Sequence, residues 1–113
     1  MTEFEVATPE AFDRDVLKAE EPTVVMFWAG WCPFCRRFKP VFDAYAAKRD
    51  GRFAIVRVDD EDNPLWEKYH VDVVPSIAFF QAGKLVARKD GHLGRGLSEP
   101  EFAGFLEQVL PAA

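Results

Sequence analysis

The 113-residue sequence has few cysteines and no long apolar segment. Two cysteines are too few for the set of disulfides that holds a small secreted protein together. The longest apolar run covers residues 24–29, whereas a helix that crosses a bilayer needs about 20 apolar residues. The N-terminus is acidic and has no hydrophobic stretch, so we expect no secretory signal, no membrane partner and a cytoplasmic location.

Positive charge is also scarce. The chain has 14 Lys and Arg against 19 Asp and Glu, which gives a net charge of −5. Nucleic-acid binding usually needs clustered Lys and Arg side chains that neutralise phosphates, so we expect no nucleic-acid partner. In contrast, 49% of the residues are apolar and 11 are Phe. The length and this composition predict a single domain, residues 1–113, with a packed core.

The pattern of apolar residues predicts alternating strands and helices. Five segments read as strands, at 3–6, 23–28, 53–58, 76–81 and 84–89. Cap-and-proline signals predict helices that begin at Thr8, Cys32, Asn63 and Ser98. The first helix is expected to end near Ala19. Because only two residues separate the last two strands, these must form an antiparallel hairpin. The order βαβαβαββα therefore indicates an α/β protein with a central mixed sheet and helices on both faces.

The two cysteines lie where a strand is predicted to end and a helix to begin. Cys32 falls at the cap position of this helix and Pro33 at its first residue. The free N–H groups and the dipole of the helix favour a thiolate on Cys32, and Arg36 adds positive charge nearby. Cys35 lies one turn further along, on the apolar stripe, and is expected to be buried. The arrangement predicts that Cys32 attacks a disulfide and that Cys35 resolves the resulting mixed disulfide.

Other uses of a Cys-x-x-Cys pair fit the sequence less well. A structural disulfide across so short a loop contributes only about 2 kcal/mol. A zinc site needs two further ligands, and His70 and His92 lie far outside zinc-finger spacing. A haem attachment needs His after the second cysteine, where this chain has Arg36. We therefore expect a redox-active pair with no metal and no other cofactor.

The sequence resembles the thioredoxin superfamily over nearly its whole length. The segments that carry the resemblance are 24–35, 39–40, 56–59, 63–64 and 73–76, together with Phe79, Phe80 and Gly83. The resemblance implies the thioredoxin fold and a thiol–disulfide oxidoreductase in which Cys32 is exposed and nucleophilic and Cys35 resolves. It further implies a cis bond before Pro75 and pairing of the Val74 backbone with the substrate chain. The remaining residues expected to contact the substrate are Trp31, Pro33, Phe34 and Gly91.

The sequence departs from the thioredoxin pattern between the cysteines and at two residues of neighbouring strands. Thioredoxins usually have Gly-Pro between the cysteines, whereas this chain has Pro33 and Phe34 and is in this respect more similar to glutaredoxins or to oxidising periplasmic enzymes. Met26 occupies the position of a buried thioredoxin Asp, and Arg57 matches a nearby lysine. Loss of the buried carboxylate removes a charge that opposes the thiolate, so we expect a lower Cys32 pKa and a more oxidising potential.

These observations predict a monomeric enzyme that exchanges disulfides with substrate proteins. Its expected partners are proteins with disulfides and either a recycling reductase or glutathione. Two alternatives stay open. One is a glutathione-linked enzyme of the glutaredoxin type, which Pro33 and Phe34 favour and the additional N-terminal strand and helix disfavour. The other is a non-catalytic module that uses the same fold only for binding, which an intact cysteine pair disfavours.

Overall fold

The computed structural model describes residues 2–110. Its five strands are β1 (Thr2–Val6), β2 (Thr23–Trp28), β3 (Arg52–Arg57), β4 (Ser76–Gln81) and β5 (Lys84–Asp90). Its helices are α1 (Pro9–Phe12), which continues as a π-helical segment (Asp13–Leu17), α2 (Pro33–Lys48), α3 (Leu65–Lys68) and α4 (Glu99–Val109). The predicted order of strands and helices is confirmed. Within these residues, no helix is long and apolar enough to span a membrane.

The strands form one mixed sheet in the order β1-β3-β2-β4-β5. β3 pairs in parallel with both β1 and β2, while β4 is antiparallel to β2 and β5. The predicted hairpin turns at Ala82 and Gly83, whose φ angles are +54° and +78°. Positive φ at both central residues is the geometry of a type I′ turn, which matches the twist of the two strands.

The central strand β2 explains the continuous apolar run in the sequence. All six of its residues are buried, because β3 and β4 flank it and helices cover both of its faces. Phe27 in β2 and Val56 in β3 are register partners and share one face, whereas Phe53 faces the other. The aromatic cluster on the first face contains Phe12, Phe27, Tyr69 and Phe80. The cluster on the second face contains Phe38, Phe42, Tyr45, Phe53 and Phe102.

The capping signals at Thr8 and Ser98 correspond to side-chain hydrogen bonds in the structure, whereas Cys32 makes none and Pro64, not Asn63, precedes α3 as its cap. Thr8 Oγ1 accepts from the Ala11 N–H at 3.1 Å. At the start of α4, Ser98 Oγ accepts from the Glu101 N–H, and Glu101 Oε1 accepts from the Ser98 N–H. Each cap satisfies backbone donors that have no partner within the helix, which is why these helices begin where the sequence predicts.

The first helix differs from its prediction. The α-helix covers only one turn, and a π-helical segment follows it and ends at Leu17, before the expected Ala19. The Lys18 N–H donates to the Asp13 carbonyl at 3.0 Å, which is the i→i+5 bond of a π-helix. The wider turn accompanies burial of both Phe12 and Val16 against the core. Apolar spacing alone does not distinguish this geometry from a continuous α-helix.

Candidate active site

Cys32 and Cys35 are placed by the junction of β2 and α2. The Cys32 N–H donates to the Ala29 carbonyl at 3.1 Å, which turns the chain out of the strand. Cys32 then caps α2 in an extended conformation, and Pro33 is the first helical residue, as predicted. Both cysteines are free thiols, and Cys32 is among the neighbours that raise the pKa of Cys35.

The structure corrects the expectation that Cys32 is exposed. Its side chain is only 5% accessible, and its Sγ donates a hydrogen bond to the Val74 carbonyl at 3.5 Å. Cys32 lines a groove of about 220 Å³, here called the Cys32 groove. Its walls include Trp31, Phe34, Trp66, Val74 and Leu93. Burial follows from these walls, which come from four separate parts of the chain and are not evident from the helix start alone.

Cys35 is fully buried, as predicted. Burial raises the pKa of its thiol to about 12, and the neighbouring Cys32 sulfur and the Asp59 carboxylate add to the increase. A hydrogen bond with the Ala29 backbone acts in the opposite direction. The thiol of Cys35 is therefore protonated at neutral pH, and it must lose this proton before it attacks another sulfur.

The loop before β4 forms the side of the groove that faces Cys32. The Val74–Pro75 bond is cis, as predicted. Gly91 lies directly beneath this loop, since a Cβ on Gly91 would approach the Pro75 carbonyl oxygen to 2.4 Å. Gly91 is itself buried. Its place in the site therefore rests on the close approach of two backbone segments, which only glycine permits.

Met26 and the two arginines that were expected to influence the thiols have different surroundings. Met26 is fully buried in β2. Arg36 is exposed, and its guanidinium donates to the Gly30 carbonyl at 2.8 Å. Arg57 is half-buried. Its guanidinium donates to Asp59 at 2.9 Å and lies over the Trp28 ring, 5.0 Å from the centroid.

Asp59 connects this arginine with the segment that precedes the cysteines. Its carboxylate accepts from the Gly30 N–H at 3.1 Å, and its carbonyl accepts from the Trp31 indole N–H at 2.9 Å. A Cβ on Gly30 would lie only 2.9 Å from an Arg57 nitrogen. Asp59 was not predicted from the sequence to be a site residue. Its position two residues after Arg57, at the end of the strand beside β2, is the signal that identifies it.

Phe34 closes the opposite side of the groove. The side chain contacts Gly96 so closely that a Cβ on Gly96 would lie 2.8 Å from the Phe34 Cβ. The Arg37 guanidinium covers the Phe34 ring at 5.1 Å. Leu93, from the same loop as Gly96, also lines the groove and was not identified from the sequence. Trp31, which was identified from the sequence, is 60% exposed at the rim of the groove.

The residues of 2–110 contain no group of three or more His, Cys, Asp or Glu side chains placed to hold a metal ion. What the site does contain is a pair of adjacent thiols, one lining a groove and the other fully buried. Two neighbouring cysteines can alternate between a dithiol and a disulfide and so exchange two electrons with another disulfide. Together with the mixed sheet, this pair defines a thiol–disulfide oxidoreductase of the thioredoxin fold.

Comparisons with known proteins identify the family. The family model described as Thioredoxin matches residues 3–99, and the chain belongs to the thioredoxin family. It is 36% identical to Thioredoxin C-2 of Corynebacterium nephridii over 106 residues, which is 91% of this chain and 93% of that protein. It is 35% identical to the thioredoxin of Pseudomonas aeruginosa over 101 residues, 88% of this chain and 90% of that protein.

A solved structure supports the fold. The chain is similar to the reduced thioredoxin pre-protein of Schistosoma mansoni, with a TM-score of 0.74 and 22% identity. The similarity covers 96% of this chain and 98% of the other. Membership of the family implies disulfide substrates and a reductase that returns the cysteine pair to its dithiol form.

Proposed function

We propose that the protein reduces protein disulfides, with Cys32 as the nucleophile and Cys35 as the resolving cysteine. The observation that carries this proposal is the difference in position between the two thiols. Cys32 lines a groove that opens to solvent, whereas Cys35 is fully buried and does not line it. A substrate sulfur therefore reaches Cys32 and not Cys35.

The reaction proceeds in two exchanges. The Cys32 thiolate attacks one sulfur of the substrate disulfide, so that a Cys32–substrate bond forms, the substrate disulfide breaks, and the released thiolate takes up a proton. Cys35 then loses its proton and attacks the Cys32 sulfur. A Cys32–Cys35 disulfide forms, and the second substrate sulfur leaves and is protonated. The substrate gains two electrons and two protons, and a reductase or another dithiol must reduce the new disulfide.

The substrate chain is proposed to lie across the Cys32 groove. Trp31, Pro33 and Phe34 contact it from the helix side and Val74 and Pro75 from the other, while Gly91 supports this loop from beneath. The Val74 carbonyl accepts a hydrogen bond from the reacting sulfur, Cys32 Sγ, at 3.5 Å. Its position in the loop just before β4 suits backbone pairing with an extended peptide.

The absence of a carboxylate at Met26 is proposed to affect both potential and resolution. Met26 is fully buried and carries no proton acceptor. A buried negative charge there would disfavour the thiolate form, so its absence supports a more oxidising cysteine pair than in a standard thioredoxin. With the pKa of Cys35 raised to about 12 by burial, its proton passes to water, which slows the second exchange.

Trapping of the mixed disulfide tests the assignment of the two cysteines. With insulin as substrate and dithiothreitol as reductant, C32S is expected to lose activity. When reduced C35S is freed of dithiothreitol and mixed with insulin, it is expected to accumulate a covalent complex with the substrate, because no second thiol resolves it, and C32S is expected to form no adduct. Mass spectrometry of the complex should locate the bond at Cys32. An adduct at Cys35 in C32S, formed as rapidly, would contradict the proposal.

Two alternatives have their own tests. Pro33 and Phe34 favour a glutathione-linked enzyme, and sustained turnover with glutathione as the sole reductant would support it. A binding module would retain its partners unchanged in C32S and show no reversible redox transition. A monomeric state, a single domain over residues 1–113, the lack of a cofactor and a cytoplasmic location stay predictions from the sequence.

A further inference from the structure

Leu93 is a large apolar residue held in solvent beside the reacting sulfur. Its side chain is 91% exposed, more than either of the other large exposed hydrophobic residues, Trp31 and Val86. Leu93 and Trp31 both line the Cys32 groove. An exposed leucine forgoes the free energy of burial that a leucine normally contributes. Single exposed apolar residues are common on protein surfaces, so the significance of Leu93 depends on its setting.

The backbone that carries Leu93 is a closed loop, residues 92–96. The His92 N–H donates to the Gly96 carbonyl at 2.9 Å, and the Gly96 N–H donates back to the His92 carbonyl at 2.7 Å. Gly94 and Gly96 have φ angles of +79° and +80°, a conformation that residues with a side chain rarely adopt. The loop thus has a defined shape of its own.

Two further contacts attach this loop to the rest of the site. Arg37, which covers the Phe34 ring, donates to the Arg95 carbonyl at 2.6 Å. The His92 ring lies 2.8 Å from a carboxylate oxygen of Glu101, the residue that caps α4. The loop is therefore fixed to α2 and to α4, and Leu93 projects from it into solvent.

The charges near the groove are unevenly distributed. Asp72 lines the groove itself. Glu61 lies in the adjoining recess between Trp31 and Trp66, together with Asp59, whose charge is paired with Arg57. The cations of the opposite side are engaged, since Arg37 and Arg95 contact the loop carbonyl and Glu101. A peptide that lies over Trp31 and Leu93 thus meets apolar surface with an acidic margin, which disfavours acidic side chains.

We propose that Leu93 is a specificity-determining residue that selects disulfides flanked by a large apolar side chain. The occupant of the surface between Leu93 and Trp31 is an extended segment of the substrate polypeptide, neutral or basic in charge, whose apolar residue is next to the cysteine under attack. This inference rests on the proposed reduction of protein disulfides and names the substrate class of that same site.

Short peptide disulfides test the inference. Each peptide has one cysteine, the same variable residue on both sides of it and one lysine at each end, and the variable residue is Leu, Ser or Glu. We expect the wild-type protein to show kcat/KM in the order Leu, Ser, Glu, with Leu about tenfold above Ser. In L93A the ratio of kcat/KM for the Leu peptide to that for the Ser peptide should fall about fivefold. The substitution removes three carbon atoms, and this change corresponds to the loss of part of the apolar contact that they make.

A matched control and a charge variant make the test specific. V86A removes an apolar side chain that is 56% exposed on β5 and should leave all three ratios unchanged. L93K should raise kcat/KM for the Glu peptide relative to the Leu peptide. Because Leu93 is almost fully exposed, both Leu93 variants should unfold at the wild-type urea concentration.

The outcomes separate this inference from the function on which it rests. If the wild-type protein reduces none of the peptides or insulin, the proposed function fails. If it reduces them without a preference for Leu over Ser, or if L93A retains the wild-type ratio, the role of Leu93 is overturned while the reductase activity stands. A change of the same size in V86A would also overturn it.

Discussion

Gly91 shows how strongly a single residue constrains this site. It sits beneath the Val74–Pro75 loop, with the Pro75 carbonyl oxygen only 2.4 Å from where a Cβ would be. The obstructing atom belongs to the backbone, so it cannot move aside by a side-chain rotation. Any substitution at Gly91 must therefore displace this loop, whose Val74 carbonyl faces Cys32.

Replacement of Gly91 by alanine is predicted to destabilise the protein. The overpacking of a filled site typically costs about 1–3 kcal/mol, and we expect G91A to lower the free energy of unfolding by this amount in urea titrations. Gly104 provides the control, because a Cβ there meets nothing within 4 Å and the residue lies inside α4. G104A should stabilise the protein by about 0.5–1 kcal/mol. Equal stability of G91A and wild type would contradict the packing argument.

At the level of secondary-structure elements, charged groups connect β1 with α2. Asp43 of α2 accepts from Lys39 at 2.9 Å, while its other carboxylate oxygen is buried and has no partner among the described hydrogen bonds. Glu3 of β1 approaches Asp43. Glu3 is exposed, but partial desolvation, a hydrogen bond with Asp43 and the negative charge of Asp43 together raise its pKa to about 7, and Lys39 partly opposes this increase. A protonated Glu3 therefore supplies a donor to Asp43.

This contact predicts a pH-dependent contribution to stability. Because the folded protein holds the Glu3 proton more tightly than the unfolded chain does, the contribution is complete below about pH 4.5 and is lost as the pH rises toward 7. The side chain introduced by E3Q cannot ionise, so we expect this variant not to lose stability as the pH rises toward 7. Urea titrations from pH 5 to pH 8 should show the wild-type protein losing stability relative to E3Q.

The control for this pH effect is E107Q, a change at an exposed residue of α4. Its stability should follow that of the wild-type protein across the same range. Parallel stability curves for wild type and E3Q between pH 5 and pH 8 would show that the two carboxyl groups do not share a proton.

At the scale of the whole molecule, the reduction potential reflects the surroundings of both thiols. The central strand places Met26 in the core, where a carboxylate would oppose the thiolate. We predict a potential above the value of about −270 mV that is typical of thioredoxin. Tryptophan fluorescence in glutathione buffers measures it, since Trp31 adjoins Cys32.

M26D tests the reason for this potential. A carboxylate at the position of Met26 should make the potential more negative, and M26L, which keeps an apolar side chain of similar volume, should leave it unchanged. A wild-type potential at or below −270 mV would refute the prediction. The variants then show whether residue 26 affects the potential at all.

Much of the fold could be predicted because its signals are local. The Ser98 cap and Glu101 are three residues apart, and the turn at Ala82 and Gly83 involves two residues. The continuous burial of β2 is evident from its run of apolar residues. The adjacency of Cys32 and Cys35 at a helix start is local in the same sense. Backbone propensity and the periodicity of apolar side chains act over a few residues, so both can be recognised in the sequence.

The sequence by itself thus determined the order of the elements, the mixed sheet and the position of the two thiols. Only the tertiary structure decided that Cys32 is covered, that Asp59 holds Gly30 and Trp31, and that Leu93 stands beside them. The contacts responsible join residues far apart in the chain: Cys32 with Val74, Gly30 with Asp59, and Arg37 with Arg95. Such contacts depend on how strands pair and loops close, and no local pattern of residue types encodes their distances.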